Sequence, residues 1–366
     1  MRTSPDMRVL VVCPVHDPRD ARIAEREIPA LLAAGHDVTQ AGPFTAVGAI
    51  AQPGVRPIDI PRSVGRKRAR ALRHTRRMLR EQAPHHDIVL LHSPDAVIAA
   101  SGLDHAGIVW DVHEDTAAAV GTKPWLPRAL AAPAAWSIRA GEAWAERNVH
   151  LLLAEHSYAD RFARSHPVVP NSVFVPDAVP RPERGRVVYL GSVTRARGAR
   201  ELIEVGRLLA DGPAIRVDVI GGAGPEVLGD VEVARDRGWI AWHGYVKNSV
   251  ALSLVDGATA GLSLLHDEPN YRHSMPTKLL EYLAHGVPFV STPLPLAVEL
   301  AEVSGGGIIV PFGDLGAAYD AIVELNADDD RRQKMADIGR EWVRANANWA
   351  IDGAAFIRQL EEWARG

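Results

Sequence analysis

Residues 268–293 read EPNYRHSMPTKLLEYLAHGVPFVSTP, a loop, a helix and the start of a strand in one run. Pro276 stands where a helix begins, because its fixed φ suits the first turn and its missing N–H is not needed there. Lys278 and Glu281 are three residues apart and share one face of the first two turns, with Tyr282 beside them. Gly286 closes the helix, and Pro288–Ser291 enters a strand. A helix N-terminus offers unsatisfied N–H groups and a partial positive charge, which suits a phosphate. Lys278 adds a full positive charge at that end, and the Glu281 carboxylate can accept two hydroxyl hydrogen bonds. An ordinary surface Lys–Glu pair would have the same spacing.

On both sides of this run, short apolar stretches alternate with amphipathic ones. In the first half the expected strands are Arg8–Cys13, Asp37–Ala41, Asp87–His92, Gly107–Val112 and Leu151–Ala154. Residues 21–34 place Ala24, Ile28 and Leu31 on one helical stripe that Gly35 ends. Pro29 inside that stripe predicts a kink or a short first segment. In the second half strands are expected at Arg186–Leu190, Ile215–Ile220, Ile240–Trp242, Gly261–Leu265, Pro288–Ser291 and Ile308–Val310. Helices are expected near 198–210, 248–256, 276–285, 295–303, 314–325, 328–345 and 351–365. Continuous apolar strands separated by helices predict parallel sheets covered on both faces. Five prolines between 166 and 186 interrupt the pattern and predict an extended connection. The expected class is α/β: two doubly wound parallel-sheet domains, 1–165 and 187–345, facing across a cleft. The linker is 166–186, and a terminal helix, 346–366, is expected to cross back to the first domain. Ligands of such domains bind beyond the carboxyl ends of the strands.

The 366 residues are 47% hydrophobic and 23% charged, which excludes disordered, collagen-like and fibrous chains. No run of about 18 apolar residues exists, so no spanning helix is expected, and the first residues lack a secretion-signal pattern. The single cysteine, Cys13, excludes an intrachain disulfide and a Cys-built zinc site. The expected compartment is the cytoplasm. Net charge is −4, split into +3 over residues 1–165 and −7 over the rest. Residues 61–80 hold nine Lys and Arg (Arg62, Arg66, Lys67, Arg68, Arg70, Arg73, Arg76, Arg77 and Arg80) and no acid. A solvated basic helix is the plain reading, and contact with an anionic membrane is the alternative. No aromatic residue is interleaved with these charges, which argues against nucleic acid.

A second chemical segment is Val187–Gly198, VVYLGSVTRARG. A strand ends at Gly191–Ser192, and Arg195 and Arg197 precede Gly198 at the next helix start. Two guanidinium groups beside a glycine turn suit a diphosphate, which Arg can grip through two bonds. A solvent-exposed basic loop is the plain alternative. Gly221-Gly222-Ala223-Gly224-Pro225 follows a strand, but Val227 stands where a dinucleotide fingerprint needs its third glycine, so a strand–loop–helix turn is expected. Trp125, Trp136 and Trp144 are expected to pack in the core or under a lid. His92, His113 and His156 lie near strand ends, and no His/Asp/Glu set has the sequence spacing of a metal site, so no metal is expected.

These segments, with His16-x3-Asp20-x-Arg22-Ile23 after the first strand and Asp111-x-His113-Glu114 after a later one, resemble the family 4 retaining glycosyltransferases of the GT-B fold. Asn270, Pro276, Lys278, Glu281, Tyr282, Ala284, Gly286 and Pro288 match the family's donor segment, and Gly191, Arg197 and Gly198 match the opening of its second domain. The resemblance covers nearly the whole chain. It implies a hexosyltransferase-type enzyme that moves a sugar from a UDP- or GDP-sugar to an acceptor, without metal or other cofactor. The implied donor-binding set is Gly191, Ser192, Arg195, Arg197, Val246, His273, Ser274, Lys278 and Glu281. Glu281 would hold the ribose, Arg197 and Lys278 the diphosphate, and backbone near Gly244–Val246 the base. His113, Arg197 and Lys278 are the implied catalytic residues, and His16, Asp20 and Arg22 the acceptor side. One departure stands out: many relatives carry a Glu-x7-Glu pair whose first Glu lies eight residues before the ribose Glu, where this chain has His273. A nucleotide-sugar epimerase of the same architecture and a non-catalytic sugar-nucleotide-binding homologue are the alternatives. The implied partners are a nucleotide sugar and an acceptor, not nucleic acid, with residues 61–80 the candidate contact to anionic membrane.

Overall fold

The computed structural model describes residues 7–117 and 128–366. The chain forms two compact units, residues 1–171 with 350–366, and residues 172–349. In the first unit six strands form one parallel sheet: β1 Arg8–Val12, β2 Asp37–Gly42, β3 Val55–Asp59, β4 Ile88–Leu91, β5 Ile108–Val112 and β6 His150–Leu153. Their order is β3-β2-β1-β4-β5-β6. In the second unit the strands are β7 Arg186–Leu190, β8 Arg216–Ile220, β9 Ala241–Gly244, β10 Ala260–Ser263, β11 Phe289–Ser291 and β12 Gly307–Ile309. Their order, β12-β11-β10-β7-β8-β9, repeats that of the first sheet when read from the other edge. Each unit is thus doubly wound, and each reverses direction between its first and fourth strands, where such sheets open a crevice.

Apolar burial follows from the strand pattern. Val187 and Tyr189 of β7 join the core on one face of the second sheet, while Val188 and Leu190 join the core on the other. Both faces are covered, which is why the run is continuously apolar rather than alternating. In the first unit Leu10, Val12, Val89, Leu91 and Trp110 share one core with the helix Arg68–Gln82. Pro29 has the predicted effect: Ala21–Glu27 winds as a π-helix and the α-helix Ile28–Ala33 begins beside the proline. The wider turn leaves the missing Pro29 N–H without consequence.

Two elements differ from the sequence expectations. β3 was not expected, and it lies at the sheet edge, where Pro57 costs no ladder bond. The helix Leu228–Asp236 completes the strand–loop–helix turn expected at Gly221–Pro225 but was not among the helices given bounds; it holds Gly229, and only Val231 and Ala234 are buried. The prolines of 166–186 do give extended chain, bridged to β6 through Val168 and to Asn348 through Val173, and the unit boundary falls inside it. Trp136 is 73% exposed, which corrects its expected packing; Trp144 does pack against the first core, and Trp125 lies outside the described residues. Among the described residues no helix is long and apolar enough to cross a membrane.

Candidate active site

The second unit brings Gly191, Arg197 and Lys278 together at the crevice between β7 and β10. Gly191 follows β7 with φ +116°, a conformation suited to glycine. A methyl group placed on it would lie 3.5 Å from Arg197 Nη1 and 3.6 Å from Lys278 Nζ. The two cations therefore converge on the open face of this one residue. Arg197 ends a short turn, Arg195–Arg197, closed by Gly198 at φ +79°. A side chain on Gly198 would collide with Leu264 O at 2.0 Å, so the turn packs directly on β10's continuation.

Lys278 reaches the same place from the helix Thr277–Ala284, whose start lies beyond the end of β10. Tyr282 fixes the helix: its hydroxyl accepts from Leu190 N at 2.8 Å and donates to Leu262 O at 3.1 Å. Its ring fills the space that Gly261 leaves without a side chain. One turn earlier, Lys278 is 6% exposed, and its Nζ sits 3.8 Å above the Tyr189 ring with no hydrogen-bond partner. Burial and the neighbouring Arg197 push its pKa well below the usual lysine value, with Glu281 opposing them. A buried, unpartnered ammonium beside a second cation is costly unless an anion completes it. Glu281 is buried on the same helix, while Ser192, Arg195 and His273 are exposed and Val246 and Ser274 half-buried. Tyr282, matched to the donor segment in the sequence, supports the site, and so does Tyr189, which was not singled out because it lies in an apolar run where core packing explains it.

The first unit gathers a different set. Arg22, 4% exposed, donates from Nη2 to Asp111 Oδ1 at 2.7 Å and from Nε to Asp111 Oδ2 at 2.8 Å. Its Nε is also 3.1 Å from Glu27 Oε1, and its other nitrogens serve Asn171 and Val169 O. Arg22 is thus an internal ion-pair residue. Asp20 caps the π-helix through Arg22 N. His113 Nδ1 lies 3.0 Å from Asp111 Oδ2, its Nε2 is buried without a partner, and its ring stands 4.9 Å from that of His16. His92, fully buried, is 3.1 Å from Glu27 Oε2 and 3.3 Å from Asp111 Oδ2.

The expectation that no His/Asp/Glu set has metal-site spacing is corrected here. His92, Asp111 and His113 hold ligand atoms within 4.8 Å of one another. Adjacent strands β4 and β5 create this proximity, which linear spacing cannot reveal. Arg22 already donates to both oxygens of Asp111.

Residues 184–328 match the family model described as glycosyl transferases group 1. The full chain overlays sucrose-phosphate synthase from Thermosynechococcus elongatus with a TM-score of 0.75, at 14% identity over 97% of this chain and 98% of that one. It overlays Anabaena HepE, solved with UDP and glucose, with a TM-score of 0.70, at 12% identity over 97% and 99%. The fold is GT-B. A Mycobacterium tuberculosis GDP-mannose-dependent α-(1-6)-phosphatidylinositol monomannoside mannosyltransferase is 35% identical over 82 residues. That alignment spans 22% of this chain and 21% of the mycobacterial protein. Together these findings show the GT-B fold and a glycosyl transferases group 1 segment within the second unit.

Proposed function

We propose that the protein is a retaining, metal-independent glycosyltransferase whose second unit holds a nucleoside-diphosphate sugar. The observation that carries this reading is the convergence of Arg197 and buried, unpartnered Lys278 on Gly191. The diphosphate would lie against these cations and the start of the helix Thr277–Ala284. In the reaction the bond between the anomeric carbon and the diphosphate oxygen breaks, and the acceptor oxygen takes that carbon on the same face. The departing diphosphate receives the acceptor's proton. The protein's part is to place the partners and stabilise the charge growing on the leaving group. The segments Gly191–Gly198 and Ser274–Glu281 contain Arg195, Arg197 and Lys278 and a single carboxylate, Glu281. That charge pattern supports catalysis by side-chain cations in place of a metal. His113 would reach the donor sugar through Nε2, with His16 and Asp20 on the acceptor side. The GDP-mannose in the mycobacterial relative's name and the UDP bound to HepE keep both bases in the test.

Glu281 is assigned to the ribose. Glu281→Ala removes an acceptor of two charge-assisted hydrogen bonds and should weaken nucleotide-sugar binding by roughly 2–4 kcal/mol. Calorimetric titration with UDP-glucose and GDP-mannose checks this, and unchanged affinity in a folded variant refutes the assignment.

The membrane contact belongs to the first unit. Arg62, Arg68 and Arg76 are tied to Val15 O, Asp95 and Ser101 O. Arg66, Arg70, Arg73, Arg77 and Arg80 stay exposed, spaced four, three, four and three residues apart, the spacing of one helical face. Among the described residues none pairs with them. The proposed partner of this stripe is an anionic bilayer surface, which also suits a lipid-linked acceptor such as the relative's name describes. Sedimentation with phosphatidylcholine–phosphatidylglycerol vesicles should be strong at low salt and fade as the screening length falls to about 10 Å near 0.1 M. Equal binding to pure phosphatidylcholine leaves only a solvated helix.

A further inference from the structure

Four buried side chains of the first unit close a ring of alternating charge. Arg22 meets Asp111 at 2.7 Å, Asp111 meets His92 at 3.3 Å, His92 meets Glu27 at 3.1 Å, and Glu27 meets Arg22 at 3.1 Å. None is more than 4% exposed. They come from the helix after β1 and from the ends of β4 and β5, with β1 and β4 flanking the reversal of this sheet. His113 hangs from the ring at one point, Asp111 Oδ2, through its Nδ1. Its other nitrogen is buried without a partner, and His113 lines a small cavity together with His16, Ser93 and Glu114 among others.

We propose that His92 is a positioning residue: its imidazole, held between Glu27 and Asp111, locks the Asp111 carboxylate so that His113 keeps Nδ1–H toward Asp111 and presents Nε2 to the cavity. The inference rests on the reading that His113 serves the donor sugar. The geometry carries it in two steps. Asp111 Oδ2 is hydrogen-bonded to Arg22 Nε and His113 Nδ1 and lies 3.3 Å from His92 Nδ1 as an ion-pair contact without a hydrogen bond, so the carboxylate cannot turn without losing these contacts. A carboxylate so fixed accepts one defined proton from His113, which sets the tautomer. The charges agree. Burial alone would lower the His92 pKa, but Glu27 and Asp111 raise it to about 9, so His92 is a cation at neutral pH. Burial and His92 pull the His113 pKa down while Asp111 and Asp20 pull it up, and the net result is a raised value. The other groups facing His113 are His16, whose pKa is lowered by burial and by His113, and Glu114 across the same cavity.

The test is histidine 15N–1H correlation NMR on the full chain without ligand, in EDTA, across pH 5.5–9.5. In the wild type His92 should show both nitrogens protonated at neutral pH, and neutral His113 should carry its proton on Nδ1. In His92→Gln the positive charge is gone, so the His113 titration midpoint should move up and the Nε2–H tautomer should appear. Turnover should fall while donor KM stays near the wild-type value, because the donor's cations are in the other unit. An unchanged His113 spectrum in His92→Gln overturns the proposal. Should that variant not fold, the wild-type spectrum decides: a neutral His92 at pH 7, or His113 protonated on Nε2, overturns it. Zn²⁺ shifting both histidines together would make the cluster a metal site and also overturn it. The NMR readout needs no donor, so failure of the donor-site reading leaves it standing, while normal turnover in His113→Ala counts against that reading and not against the ring.

Discussion

Arg197→Ala and Lys278→Met should each lower turnover at saturating donor by about 10²–10³-fold, the scale of removing one preorganised charge from a site where negative charge develops. On the proposed reading both cations would meet a leaving group whose charge grows toward the transition state, so turnover should fall more than donor affinity. Lys278→Met carries a second expectation that separates function from structure. The ammonium is buried over Tyr189, without a hydrogen-bond partner and next to Arg197. Replacing it with an apolar side chain of similar length removes an uncompensated buried charge, so the variant should melt no lower than the wild type. A protein more robust and far less active is the signature of a strained functional residue. A destabilised Lys278→Met protein with near-normal turnover would assign Lys278 to the fold, with Arg195 the next candidate for the catalytic charge.

Asp111→Ala should have the opposite balance. It leaves Arg22 and His92 buried with only Glu27 between them, and breaking a buried pair in this way costs about 3–5 kcal/mol. Urea denaturation should therefore show loss of much or all of the first unit's stability. The same cluster fixes a pH dependence. Asp111 is held well below its ordinary pKa by Arg22, His113 and His92, against the effect of burial. Its contribution is present above the unfolded carboxylate value and is lost as pH falls through the native one. His92 runs the other way: raised from 6.5 to about 9, it contributes fully below 6.5, and that contribution is lost as pH rises through about 9. Stability should thus decline between pH 6.5 and 9 in the wild type and be flatter there in His92→Gln. A wild-type curve level across that window would show that His92 does not hold its proton in the fold.

The parts of this molecule that were legible in the sequence are those written in local pattern. β1, β4 and β7 are unbroken apolar runs because both faces of their sheets are covered. The helix Thr277–Ala284 announces itself through Pro276 at its cap and Gly286 at φ +66° after it. Lys278 and Arg197 could be named because each sits beside a glycine or helix start that suits an anion. The ring of Arg22, Glu27, His92 and Asp111 was not legible, since Arg22 and Asp111 are 89 residues apart and meet only when β1, β4 and β5 lie side by side. Arg22, expected on the acceptor side, has its guanidinium engaged inside the unit. Edge strand β3 escaped, and the helix Leu228–Asp236 was given no bounds, for a simpler reason: each has too little buried apolar surface to leave a period.

The central claim is that the crevice at Gly191 binds a nucleoside diphosphate through Arg197 and Lys278, and calorimetric titration with UDP and with GDP tests it most directly. One of the two should bind the wild type with EDTA present, and affinity should weaken as pH rises, because burial and Arg197 hold the Lys278 pKa well below its usual value. Lys278→Met should bind much more weakly and without that pH dependence. Binding of neither nucleotide, or equal binding by wild type and Lys278→Met at every pH, would contradict the claim.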